Sequence, residues 1–239
     1  MDKSIDSGKE HKRGRTSTPY HQTSHLLVPR FNGPDPSQMT EYQERIYKSI
    51  INSRPRTGIS GPFGPWLSVP QIADPAQNLG RACRYETSLS FRESELVILL
   101  TGARHRSHAE FDIHVGEALK AGISMMLIES IPRDDEFSVK AVEDRVLPFL
   151  LESSTSTSND KDNKDNDDDS AREVAIVRFV SELLGSSTVK SDTYNATKTV
   201  LGEDSDKVLV EITSIVGYYT FCAYTLNVFN IPTKVAQGE

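Results

Sequence analysis

Two acidic side chains and a histidine stand at spacings that acid–base chemistry can use. Glu110 and His114 lie four residues apart, and Glu117 follows three residues later. On a helix those steps put side chains on one face. Upstream, Glu95 sits in what reads as the first turn of a helix, ahead of the apolar block Leu96–Leu100. Imidazole titrates near neutrality, so His114 is the natural proton donor of the group. Glu110, one turn earlier, would orient or protonate it, and Glu95, if buried, would have its pKa pushed up and share a proton with the pair. Plainer readings stay open. An acid–histidine pair at this spacing is common on exposed helix faces, and a carboxylate is favourable near any helix start. His105, His108, Glu110 and His114 include metal-ligand types, but they straddle a helix break without an HxxxH or HExxH spacing, so no metal is expected.

The elements that must position these residues are helices. Ser90 and Glu93 have the spacing of a capping box, which opens the Glu95 helix. Arg104, His105, Arg106, Ser107 and His108 crowd its end, where a basic residue suits the dipole, and Gly122 supplies a left-handed stop for the next helix. Further helices are predicted over 37–53, 69–85, 125–131, 139–151, 172–184, 189–200 and 205–229. In the second of these Ile72, Leu79 and Ala82 are assigned inward. Residues 54–66, RPRTGISGPFGPW, are too rich in Gly and Pro for regular helix and must fold onto the body to hide Phe63 and Trp66. The reading is an all-α domain over 31–232, with polar tails at 1–30 and 233–239. Residues 153–170 carry no apolar side chain and read as a disordered Asp/Ser/Asn-rich insertion, without the glycine or glutamate of a calcium loop.

Composition narrows the partners. A net charge of −7 argues against general nucleic-acid binding, which needs a basic surface. Cys83 and Cys222 form no CxxC and read as small buried hydrophobes, which fits a reducing, cytoplasmic setting. The N-terminal tail has no apolar core of the secretory kind. The uncharged run 212–229 is just long enough for a membrane span, yet its tyrosines, threonines, Gly217 and Asn227 favour a core or subunit-contact helix, and no membrane is expected.

Three segments, GPFGPWLSVPQIAD at 61–74, RESELVILLTGARHRSHAEFDIHVGEALKAGIS at 92–124 and KVLVEITSIVGYYTFCAYTLNVFNIP at 207–232, resemble the carboxymuconolactone decarboxylase family of the alkylhydroperoxidase-D-like (AhpD-like) superfamily. In the superfamily's peroxidase branch two cysteines stand where this chain has Ser107 and Glu110, so thiol peroxidase chemistry is not expected. Phe111 and Arg106 depart from the tryptophan and aromatic residue common in the decarboxylase branch. The resemblance implies an AhpD-like helical fold, a homo-oligomer, and a cofactor-free carboxy-lyase. Its substrate would be a small cyclic, lactone- or polyketide-like carboxylic acid of aromatic catabolism or secondary metabolism. Loss of carbon dioxide beside a carbonyl leaves an enol that must be protonated on carbon. His114, Glu110 and Glu95 would supply that proton. Arg104 and His105 would hold the carboxylate or enolate oxygen, and Phe63 and Trp66 would form an apolar pocket wall. An isomerase or dehydratase using the same pair, or a non-catalytic binding protein with an idle pocket, are the competing expectations.

Overall fold

The computed structural model describes residues 27–54, 59–155 and 164–233. Among them every regular element is helical. Residues 1–26, 156–163 and 234–239, and with them most of the two expected tails and the middle of the expected insertion, lie outside the described residues. Arg30 is not free tail: its backbone N–H donates to the Phe229 carbonyl at 2.8 Å and its Nη1 to the Val228 carbonyl at 3.0 Å. Thr233, at the other tail's start, is buried.

Helix α1 (Glu41–Ser53) starts four residues later than its pattern suggested. Thr40 and Gln43 form a reciprocal capping box there, and residues 36–38 make a separate 3-10 turn behind Asp35. Helix α2 (Phe63–Leu67) corrects the expectation that 54–66 holds no helix: one short turn forms at its end. Helix α3 (Pro70–Tyr85) begins on a proline, which has no N–H to leave unsatisfied at that position. Its inward face was misassigned. Ile72 and Leu79 are exposed and Ala82 is only half-buried, while Ala73, Ala76, Gln77, Gly80 and Cys83 are buried.

Helices α4 (Phe91–Arg104) and α5 (His108–Lys120) form the antiparallel hairpin at the centre. Ser90 and Glu93 make the expected capping box, so Glu95 falls in the second turn, not the first. The hairpin turn is a Schellman motif with Arg106 in the left-handed position at φ 53°: Ser107 N–H reaches the Gly102 carbonyl and Arg106 N–H the Ala103 carbonyl. Gly122, at φ 79°, ends α5 in the same way.

Helix α6 (Met125–Ser130) leads to α7 (Val139–Arg145) and α8 (Leu147–Thr155), where a single helix over 139–151 had been predicted. The break falls at Val146, two residues ahead of Pro148, which cannot continue the hydrogen-bond ladder from its own nitrogen. Helix α9 (Lys164–Ser186) then starts well inside the segment expected to be disordered. Residues 153–155 and 164–170 are therefore helical. Helices α10 (Ser191–Leu201) and α11 (Ser205–Phe229) complete the chain.

The hairpin packs between α9 on one side and α11 on the other, with α3 laid across α11. Small residues let α3 and α11 approach closely: a Cβ built at Gly80 would stand 2.1 Å from the Tyr218 hydroxyl and 2.3 Å from its Cζ. That ring is buried and stiff, so Gly80→Ala should cost about 1–3 kcal/mol of stability by overpacking. A shift in the denaturant midpoint would record it, and an unchanged midpoint would show that the two helices slide apart freely.

Candidate active site

Four helices converge on one buried charge cluster. Glu95 on α4 is fully buried, at 0% exposure, and its two oxygens face different cations. Oε2 lies 2.8 Å from Nδ1 of His114 on α5, and Oε1 accepts from Nη1 of Arg84 at the end of α3. The other imidazole nitrogen, Nε2, is 3.3 Å from Oε1 of Glu110. Nη2 of Arg84 reaches Oε2 of the half-exposed Glu117 at 3.5 Å. A chain of alternating charge thus runs from Glu117 near the surface through Arg84, Glu95 and His114 to the buried Glu110. Helix α11 adds Tyr219, whose ring meets the imidazole edge-on at 5.1 Å.

The electrostatics follow from burial set against pairing. For His114 burial opposes the charged form, but the charge of Glu95, the hydrogen bond to Glu110 and the hydrogen bond to Glu95 outweigh it, and the pKa is pushed up to about 9. Burial likewise raises the Glu95 carboxyl, yet the charge and hydrogen bonds of His114 and Arg84 win, and Glu95 is held below its ordinary value. This corrects the expectation that burial would raise Glu95 and make it share a proton. At neutral pH the pair is carboxylate and imidazolium. The Tyr219 phenol is pushed well up, by burial first and against the pull of Arg84, so it stays neutral.

The structure brings Glu95, Glu110 and His114 together; the exposed-face reading of Glu110 and His114 does not hold, as both are buried. Arg104 and His105, by contrast, make no hydrogen bond or ion pair with the three. Arg104 Nε donates to the Leu184 carbonyl at 2.9 Å, placing its cation at the carboxyl end of α9, where the dipole favours it. His105 Nε2 pairs with Thr220 Oγ1 at 3.0 Å and its ring meets Tyr224 edge-on, on another flank of α11. Burial, then the nearby Arg104 charge, lowers its pKa. Phe63 and Trp66 are buried as packing. The indole lies flat on Phe221 at 4.5 Å, its Nε1 donates to Thr225 Oγ1 at 2.9 Å, and Phe63 meets it edge-on. They reach the imidazole only through a relay of rings, Trp66 to Tyr218 to Tyr219 to His114.

Arg84 and Tyr219 were missed. Arg84 continues the buried row Ala73, Gln77, Gly80 at helical steps, and a cation on such a row needs a carboxylate opposite it. Tyr219 shares a face of α11 with Cys222 and Leu226. Cys83 and Cys222 are free and buried, and burial raises both thiols. Among the described residues no group of three His, Cys, Asp or Glu could hold a metal ion. No protein-family model matches the chain, and comparisons with curated proteins and with solved structures gave no match.

The two shifts fix the sign of the pH dependence. Glu95 contributes stability above its unfolded value of about 4.5, and this is lost as pH falls through its lower folded value. His114 contributes below its unfolded value of 6.5, and this is lost as pH rises towards about 9, a change of about 3 kcal/mol. Denaturant midpoints should therefore fall on both sides of a plateau between 4.5 and 6.5. His114→Gln should abolish the alkaline limb; a limb of unchanged depth in that variant would assign it to another group.

Proposed function

We propose that this chain is a cofactor-free acid–base enzyme of the carboxy-lyase kind, with an AhpD-like helical scaffold and His114 as proton donor. The observation that carries the reading is the asymmetry at the imidazole. Nδ1 is held at 2.8 Å by an ion-paired carboxylate, whereas Nε2 faces Glu110 at the looser 3.3 Å. A charged imidazole with one nitrogen locked and the other weakly engaged is built to release a proton from one end. In the reaction, the bond to a carboxylate carbon breaks and carbon dioxide leaves with that carbon. The electron pair stays on the neighbouring carbon as an enolate, and the Nε2 proton is transferred to it. Solvent then returns a proton to the imidazole. Glu110 would swing from Nε2 as substrate enters and assist that return. The substrate class is a small cyclic, lactone- or polyketide-like carboxylic acid, taken from the resemblance of the three segments.

A second reading also has an observation behind it. Arg104, Phe63 and Trp66, the residues expected to bind substrate, are committed to a backbone carbonyl and to core packing. That suits a binding or scaffold protein in which the charge cluster only joins four helices. His114→Gln separates the two. Carbon dioxide release from a candidate acid should fall by about two to four orders of magnitude if His114 delivers the proton, with the fold verified by circular dichroism. Full turnover in the folded variant would remove His114 as the donor, and no carbon dioxide release by the wild type itself would leave the scaffold reading. Product formation without carbon dioxide would instead indicate an isomerase or dehydratase.

A second copy of the chain is proposed as the partner. Along α11, Val210, Ser214, Gly217, Phe221, Tyr224 and Val228 recur at alternating steps of four and three residues, the period of a helix pair. Val210, Phe221, Tyr224 and Val228 of this row are exposed. By length and composition the segment 191–229 holds a stretch apolar enough to cross a membrane, but 56% of that stretch is buried inside the fold. Val210→Glu should convert a dimer to a monomer in light scattering; a monomeric wild type would remove the proposal.

A further inference from the structure

Helix α3 contributes one ionisable side chain to the charge cluster, Arg84, and none of the chemistry above uses it. Its guanidinium is largely buried, lies 5.3 Å from the centre of the Phe91 ring, and divides its two terminal nitrogens between Glu95 and Glu117. Glu95 is likewise divided, with Oε1 to Arg84 and Oε2 to Nδ1 of His114. The guanidinium therefore bridges two carboxylates, one nitrogen to each, and presents Glu95 with a cation that does not lose its proton.

The consequence concerns where the imidazole protons can go. A buried carboxylate 2.8 Å from an imidazolium competes for its Nδ1 proton, since neutralising both partners removes two buried charges. A fixed cation on the far oxygen opposes that transfer, because it favours the ionised carboxylate and has no such effect on the imidazole. We infer that Arg84 is a positioning residue: by holding Oε1 of Glu95 it keeps the Nδ1 proton on His114, so that only the Nε2 proton is transferable. The other groups around the pair do not take over this role. Glu110 and Glu117 are acids, Tyr219 and Tyr85 bear on Arg84 as potential anions only, and the Cys222 thiol is held neutral by burial. Among the described residues Arg84 is the one permanent cation in contact with Glu95.

As a statement about catalysis this rests on the lyase reading; as a statement about the proton it does not, and the test keeps the two apart. Uniformly 15N-labelled wild-type protein at neutral pH should show His114 with both ring nitrogens protonated. Arg84→Met should shift Nδ1 towards the unprotonated range, and Arg84→Lys, which keeps the charge, should restore most of the wild-type signature. Unchanged Nδ1 in folded Arg84→Met would overturn the inference. Should that variant not fold, infrared difference spectra of wild type against Glu95→Gln decide it: a protonated carboxyl band assigned to Glu95 at neutral pH would equally overturn it. With a turned-over substrate, Arg84→Met should lower kcat at least tenfold with little change in KM. If His114→Gln retains turnover, His114 is not the proton donor, while the nitrogen shifts still test Arg84.

Discussion

The carboxylate of Glu95 is the constraint on which the rest depends. An ionised side chain with no solvent exposure is costly, and only close partners with sound geometry offset that cost. Its partners come from two other helices, Arg84 from α3 and His114 from α5, and Tyr219 of α11 closes over the imidazole. Each of those helices must therefore end, turn and pack at a defined place. The Schellman turn at Arg106 sets α5 antiparallel to α4. The absent side chain at Gly80 lets α3 lie against Tyr218, which brings the last turn of α3 to Glu95. Removing either cation would leave the buried Glu95 carboxylate with one partner instead of two, so the cluster couples helix packing to protonation state.

That coupling bears on function through the two faces of the imidazole. The Nδ1 side is tight and backed by a fixed cation, and the Nε2 side is looser and opposes the Glu110 carboxyl, whose cationic partner among the described residues is His114 itself. Such an arrangement resists movement on one side and tolerates it on the other. The aromatic relay from Phe63 to Tyr219 ties the short helix α2 to the same place. A ligand that displaced Trp66 or Tyr218 would thus be felt at His114 without touching it.

Local signals were legible in the sequence wherever a residue acts on its own backbone. The Ser90–Glu93 capping box, the stop at Gly122 and the bounds of α11 follow from side-chain types at fixed offsets. The grouping of Glu95, Glu110 and His114 was expected from the joint resemblance of their segment, since helical spacing alone left an exposed face for Glu110 and His114 open. What pairs across helices was not. Arg84 reads as a surface residue at the end of a helix until α3 is seen to bury its small residues and expose Ile72 and Leu79. The direction of the Glu95 shift was misjudged because burial alone raises a carboxyl, whereas the charge and hydrogen bond of His114, and then those of Arg84 eleven residues upstream, reverse it. Arg104 and His105 were assigned to the site by the resemblance and by their fitness to hold a carboxylate, yet they sit at the end of α4 in the hairpin's turn, where α9 and α11 claim them. The acidic stretch was read from composition, which does not register that α9 extends back to Lys164.

The most direct measurement of the central claim is the titration of the His114 ring by nuclear magnetic resonance in the wild-type protein, without any substrate. A midpoint near 9 would establish an imidazolium held between two carboxylates at neutral pH. A midpoint at or below the ordinary 6.5 would show a neutral ring governed by burial, with no proton to deliver.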